Sequence, residues 1–242
     1  MTQFNPNVYG GNSITFKSFL SNVFSKLSIG LGISGLVAFL VGANFYSIAE
    51  FVGVERFYIF IIVALIAEFV VGITFSARLM KMSKGAAWGC YIAYSALTGL
   101  SLALIVQGYT TGSVVFAFVA TVILFACMAI IGHNSKADLT SIGSMSLSGL
   151  IAIIITSLLN ALFFKSAMIN YIITFVGVII FLALIAYDMQ KLRRLYDRGM
   201  VDGEFGEKMM IYGAFTLYLD FINLFIRILQ IFGRSSGSSK KS

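Results

Sequence analysis

Residues 210–232 read MIYGAFTLYLDFINLFIRILQIF. At about 1.5 Å per residue this stretch makes a helix of about 35 Å, enough to cross a hydrocarbon core of about 30 Å. Its polar residues are not scattered. Thr216, Asp220, Asn223, Arg227 and Gln230 follow one another at intervals of 4, 3, 4 and 3. That spacing puts all five on one helical face, with Phe215, Leu217, Phe221, Leu224, Phe225 and Ile228 around the rest. Lipid satisfies neither hydrogen bonds nor charge, so such a stripe has to face a bundle interior or a water path. This helix needs other helices around it.

The remainder of the chain supplies them. Of 242 residues 59% are hydrophobic and 11% charged, whereas soluble domains run at about 45–50% and about 25%. The mean hydropathy is +0.93. One proline, Pro6, argues for long uninterrupted helices. Cys90 and Cys127 lie inside apolar runs, which excludes a secreted disulfide scaffold. Seven stretches qualify as spans: Leu27–Tyr46, Phe57–Ala77, Ala86–Val106, Val114–Gly132, Ile142–Phe164, Ile169–Asp188 and Met210–Phe232. The expected fold is all-α, a polytopic membrane protein of seven transmembrane helices. It divides into a cytoplasmic segment 1–26, a transmembrane domain 27–232 and a low-complexity tail 233–242, GRSSGSSKKS, to which no function is assigned. The connectors are short apart from the basic stretch Lys191–Lys208. Lys17 and Lys26 precede the first span, but no small-residue cleavage site follows, which argues against a removed signal peptide.

Orientation follows the lysine and arginine asymmetry of short loops. With the N-terminus inside, the inner segments carry Lys17, Lys26, Arg78, Lys81, Lys84, Lys136, Lys191, Arg193, Arg194, Arg198 and Lys208. The outer side carries Arg56, Lys165, Arg234, Lys240 and Lys241. The net charge of +7 is therefore read as membrane orientation and not as a nucleic-acid surface.

Ionisable groups inside spans are costly, by about 2.5–3.5 kcal/mol each on insertion scales, so each calls for a reason. Glu50, Glu55, Asp138, Asp197, Asp202, Glu204 and Glu207 fall in expected loops, while Glu68, Asp188 and Asp220 fall in spans. Asp220 lies about 15 Å from the inner end of its span. Asp188, in the sequence Tyr187–Asp188–Met189–Gln190, is its natural partner; the alternative is an interfacial acid that balances Lys191, Arg193 and Arg194. Two carboxylates in a low dielectric cannot both ionise cheaply and share a proton, which makes a pH sensor; deprotonated, they are a hard-oxygen ligand for transient Ca²⁺. Hydropathy sets Asp188 near the interface and Asp220 near the middle. They meet only if the sixth span continues past Arg194 or the seventh begins in a vestibule.

Glu68 is either a further acid on the path or a capped core glutamate, and Arg78 either a snorkelling anchor or a latch on the pair. Thr216, Asn223 and Arg227 are candidate pore-lining residues, with interhelical hydrogen bonding the plainer reading for Thr216 and Gln230. Trp88, Tyr91, Ser95, Thr98 and Ser101 form a polar face of the third span that reads as packing, and Ser144 and Ser148 form a small-xxx-small pair. His133 is a lone loop histidine. No metal-ligand cluster, phosphate loop or nucleophile elbow is present, so neither a catalytic residue nor a cofactor is assigned.

The segments IAYDMQKL (185–192) and LYLDFINLFIRIL (217–229) resemble the Bax inhibitor-1 family, the transmembrane Bax inhibitor motif proteins. The resemblance implies six helices around a central seventh and a pH-regulated calcium leak. It implies an aspartate pair matching Asp188 and Asp220, a basic latch falling on Arg78 and an acid falling on Glu68. It also implies a multi-pass location, with the bacterial plasma membrane favoured over the endoplasmic reticulum. Family members are further described as regulators of membrane-anchored proteases or of cell death, so a non-transporting scaffold is the alternative function. The expected partners are the bilayer, Ca²⁺ and other membrane proteins, and no nucleic acid. An intramembrane aspartyl protease is the enzymatic rival: Tyr187–Asp188 mimics one of its motifs, but Asp220 follows Tyr218–Leu219 instead of a Gly-x-Gly turn. The expectation is that the chain is not an enzyme. A proton-coupled carrier would show broken helices and inverted repeats, neither of which is evident.

The charge asymmetry generates a topology prediction. A reporter fused after Phe232 will lie outside and one inserted in 197–207 inside; labelling of 197–207 by an impermeant reagent in intact cells would overturn that orientation.

Overall fold

The computed structural model describes residues 15–201 and 203–233. Pro6, Asp202 and the tail 234–242 lie outside the described residues, as does most of the N-terminal segment. Eight α-helices follow one another: α1 (Phe16–Ala43), α2 (Phe45–Val52), α3 (Val54–Arg78), α4 (Lys84–Gln107), α5 (Thr111–Asn134), α6 (Thr140–Leu159), α7 (Ala167–Asp197) and α8 (Gly203–Phe232). Seven of these stretches, all but the short α2, are long and apolar enough to cross a membrane. The protein is a multi-pass helical membrane protein.

The helices start where side chains can take up their free backbone N–H groups. Thr15, Ser83, Thr110 and Ser166 accept from the N–H groups of Ser18, Ala86, Ser113 and Ile169, at 3.2, 3.3, 3.3 and 3.4 Å. A turn of π-helix, Asn160–Phe164, closes α6. Asn160 then ties the following loop, donating to Ser166 O at 3.0 Å and to Asn170 Oδ1 at 2.8 Å. The sharp reversal between α7 and α8 depends on Gly199 and Gly203, at φ 69° and 62°, values that a side chain would strain.

The last helix is the axis of the bundle. Its most apolar window is 72% buried, against 11% for α3 and for α6. Helices α1, α4, α5 and α7 pack on α8, while α3 leans on α4 and α6 on α7. An edge-to-face aromatic cluster joins α3, α4 and α8: Phe75 and Tyr94 meet Phe215 at 4.7 and 5.1 Å, and Tyr91 meets Tyr218 at 5.8 Å. With lipid outside, association rests on such packing and on close backbone approach at small residues. A Cβ on Gly132 would stand 2.1 Å from Ala186 O, and one on Gly143 would run into the Tyr187 ring.

Several expectations are corrected. Helix α1 begins at Phe16, not Leu27, because Thr15 caps it there; residues 16–26 are therefore helical. The basic stretch 191–208 is not a long connector: α7 runs to Asp197 and α8 starts at Gly203. Glu50, Glu55, Asp197, Glu204 and Glu207 are accordingly on helices, and only Asp138 keeps its loop position among the described acids assigned to loops. These residues escape an apolar-window reading because charged groups at a helix end reach water without breaking the helix. His133 closes α5, stacked on Phe16 at 5.1 Å, and is not in a loop. Ser144 and Ser148 are exposed and bond to their own helix; Gly143 and Ser146 make the buried face instead.

These contacts give one substitution opposite signs at two sites. Gly132→Ala forces backbone apart and will cost about 1–3 kcal/mol. Gly89→Ala, where a Cβ meets nothing within 4 Å, will be neutral or gain up to about 1 kcal/mol from helix propensity. Thermal unfolding of the two variants in detergent reads the difference; equal midpoints would refute the tight α5–α7 contact.

Candidate functional site: an acidic pair between the last two helices

The continuation of α7 to Asp197 sets Asp188 about 13 Å inside the helix end. Leu184, Ile185, Met189 and Leu192 are buried on the same stretch of α7 and anchor it in the bundle. Helices α7 and α8 run antiparallel, in register from end to end. Lys191 Nζ meets Tyr212 OH at 2.8 Å, Gly213 lies under Leu192, Gly177 lies under Arg227, and Thr174 Oγ1 donates to Gln230 Oε1 at 3.4 Å. In that register Asp188 and Asp220 fall opposite each other in the seam between α7 and α8. Asp220 is buried, 5% exposed. Its Oδ2 receives no N–H or O–H donor among the described residues. The condition under which the two aspartates could meet is thus satisfied by the first of its two routes, the longer sixth span.

The polar stripe of α8 follows the α7 seam, and of its hydrogen-bonding side chains only Gln230, with Thr174, bonds across to α7 among the described residues. Thr216 donates to Gly213 O and Asn223 to Leu219 O, both within α8. Arg227 lies half-buried across Gly177, a position that a larger residue on α7 would occupy. Among the described residues it makes no ion pair.

Glu68 is held on the far side of α8. It accepts from Thr98 Oγ1 at 2.8 Å and from Ser101 Oγ, so the polar face of α4 packs against a carboxylate and not against other helices alone. A buried hydroxyl network extends this cluster. Ser34 donates to Ser95 O at 2.7 Å and pairs with Tyr218 OH at 2.6 Å. Tyr218 stands two residues from Asp220 and therefore points to the opposite face of α8.

Arg78, the expected latch, is exposed at the end of α3 and forms no ion pair among the described residues. The cation that faces Asp188 is Lys191, one turn further along α7, with its ammonium over the Tyr212 ring at 4.9 Å. The sequence reading named Lys191 with Arg193 and Arg194 as a cluster beside Asp188; the three-residue spacing from Asp188 is what singles Lys191 out of it.

The α5–α6 loop is clamped to α7 immediately beyond the pair. Gln190 accepts from Leu139 N at 2.9 Å and donates to Ala137 O at 2.7 Å, while Arg194 pairs with Asp138 at 2.5 Å. Hydrogen bonds from Thr140 and Arg194 hold the Asp138 carboxyl well below the usual carboxylate range. Since the folded-state value is depressed, this contact is present at neutral pH and is lost only in strong acid. Elsewhere at this end Glu207 joins Lys26 and Lys84 at 3.8 and 3.3 Å. No three His, Cys, Asp or Glu side chains converge among the described residues, so a cation at the pair would meet two carboxylates and no fuller cage.

Comparison with known proteins agrees with this layout. A family model described as "Inhibitor of apoptosis-promoting Bax1" matches residues 16–237. The chain is 37% identical over 218 residues to the inner membrane protein YbhL of Escherichia coli (strain K12), covering 90% of this chain and 92% of that one. It is 38% identical over 216 residues to a protein of Borreliella burgdorferi, with 89% and 91% covered. A membrane protein of Streptococcus pyogenes serotype M1 is 33% identical over 228 residues, with 94% and 97% covered. A family model running from the first turn of α1 past the end of α8, with relatives of matching length, makes this chain a member of the Bax inhibitor-1 family.

Proposed function

We propose that the protein is a calcium leak channel whose opening depends on pH through Asp188 and Asp220. The observation that carries this reading is the α7–α8 register, which sets Asp188 and Asp220 opposite each other inside spans. With one shared proton the pair is a hydrogen-bonded bridge that ties α7 to α8. Without it, two negative charges in a poorly solvated seam either bind a cation or part the helices. Two hard oxygen donors are too few to retain Ca²⁺ in a protein cage, and a weak site suits passage better than storage. In this reading Thr216, Asn223 and Arg227 line the seam, and Glu68 adds an acid across α8 beyond Tyr218. Lys191 is the counter-charge at hand; Arg78 reaches the pair only in a second conformation. The reading assigns no catalysis, and flow runs down the ion's gradient. The location we favour is the bacterial plasma membrane, supported by the name of the Escherichia coli relative as an inner membrane protein.

Purified protein in liposomes will pass Ca²⁺ without nucleotide, with a rate that changes across about pH 5–8. Absence of protein-dependent flux throughout that range would shift the function to a scaffold for other membrane proteins.

The pair itself is tested by near-isosteric replacement. Asp188→Asn and Asp220→Asn will each abolish the pH dependence of flux. The double variant will be little worse than either single one, as for groups acting as a unit. Asp138→Asn is the control: it removes a carboxyl outside the pair, so the flux keeps its pH dependence even where loss of the Arg194 contact alters its size. Wild-type pH profiles in both single variants would make the pair structural.

A further inference from the structure

A cavity of ≈ 740 Å³ lies between α1, α5 and α8, on the side of the bundle away from the α7 seam. Sites that hold small molecules fall in the range of about 300–1,000 Å³. Residues 31–43 of α1, 102–107 of α4, 111–118 of α5 and 221–225 of α8 contribute to its lining, so it occupies the half of the bundle remote from the start of α1. Ala38, Leu102, Val114, Phe221, Ile222 and Phe225 form its body. None of the described residues lining it is charged. The hydroxyl of Ser34 is already committed to Ser95 O and Tyr218, and Gln107 donates to Gly42 O at 2.5 Å. Water needs two to four polar partners to reside in such a place, and these walls offer few. Left empty, a void of this size would forfeit packing energy along every wall.

The cavity also has a door. Helices α1 and α5 each pack on α8 but barely on each other. Phe24 and Phe125 meet edge-to-face at 6.5 Å and close the seam at its inner end. Further along, Phe39, Val115 and Phe118 stand exposed at its lips and continue the apolar surface of the spans. A Cβ at Gly35 would meet nothing within 4 Å, so bare backbone keeps the entrance wide. Tyr46 of α2, Tyr109 just past α4 and Thr111 at the start of α5 line the far end, where spans reach the headgroup level and tyrosine is favoured. The shape is therefore amphipathic: an apolar body at hydrocarbon depth and a polar mouth at the interface.

We propose that this cavity holds an acyl chain of a bilayer phospholipid, entering between α1 and α5 with its headgroup at the Tyr46–Tyr109–Thr111 end. The chain fills the space that α1 and α5 leave and forms part of the packing around α8, independently of whether the α7 seam passes Ca²⁺.

The test uses the full chain with its single tryptophan moved. In a Trp88→Phe background, Phe225→Trp places a reporter on the cavity wall and Phe39→Trp places one on its lip. Both are reconstituted into phosphatidylcholine vesicles whose acyl chains carry bromine. The expected result is quenching of the wall reporter by brominated chains to an extent comparable with the lip reporter, and little quenching by aqueous iodide. Adding Gly35→Leu, whose side chain enters the cavity, will remove the quenching at the wall and leave the lip unchanged. Iodide quenching without bromine quenching would make the cavity a water vestibule and overturn the proposal. So would insensitivity to both quenchers, or bromine quenching that Gly35→Leu does not reduce. Val114→Trp gives a second wall reporter if Phe225→Trp does not fold.

Discussion

Lipid cannot hydrogen-bond a carboxyl or a hydroxyl, and the architecture follows from that constraint acting on α8. Its two sides are both polar. Asp220 looks toward α7 and Tyr218 toward α1 and α4, where Ser34 meets its hydroxyl. A helix with polar groups on opposite faces has no orientation that suits a lipid boundary, so it has to be enclosed. Helices with one apolar-rich surface can take the periphery, and α3 and α6, the least buried, do so. Centrality of the last span is thus a consequence of where its polar residues point.

Enclosure uses different chemistry on the two sides. Toward α1 and α4 the hydroxyls form a satisfied network around Tyr218, with Glu68 held by Thr98 and Ser101 next to it. Fully partnered groups of this kind rigidify a core. Toward α7 the partners are incomplete: Asp220 Oδ2 lacks a donor among the described residues, and Thr216 and Asn223 bond only within their own helix. The two sides of α8 therefore differ in completeness: one is a closed hydroxyl network, and the other leaves a buried carboxyl oxygen without a donor among the described residues.

The end of the bundle at the close of α7 ties that seam to its surroundings. Gln190 and Arg194 clamp the α5–α6 loop within two turns of Asp188, and Gly132 brings the α5 backbone against α7 at Ala186. A displacement of α7 at the pair therefore cannot remain local. It carries the loop or breaks the clamp, because packed interfaces shift between discrete arrangements and do not deform smoothly.

The medium, the number of spans and the identity of the central residues are legible in the amino acids alone. Apolar runs of span length need no partner to be recognised, and the 4-3-4-3 spacing from Thr216 to Gln230 is a property of a single helix. Side-chain chemistry alone also singled out Asp188 and Asp220. Tertiary structure decided the rest: that α7 outlasts its apolar run, that the two aspartates share a level, that Lys191 and not Arg78 stands nearest Asp188, and that Gly143 instead of Ser144 makes the close contact. Each of these depends on register between helices, which hydropathy does not encode. A charged helix end scores as loop in an apolar window, yet its backbone bonds are as complete as those in the middle of the span, and only the neighbouring helices show which of its side chains face inward.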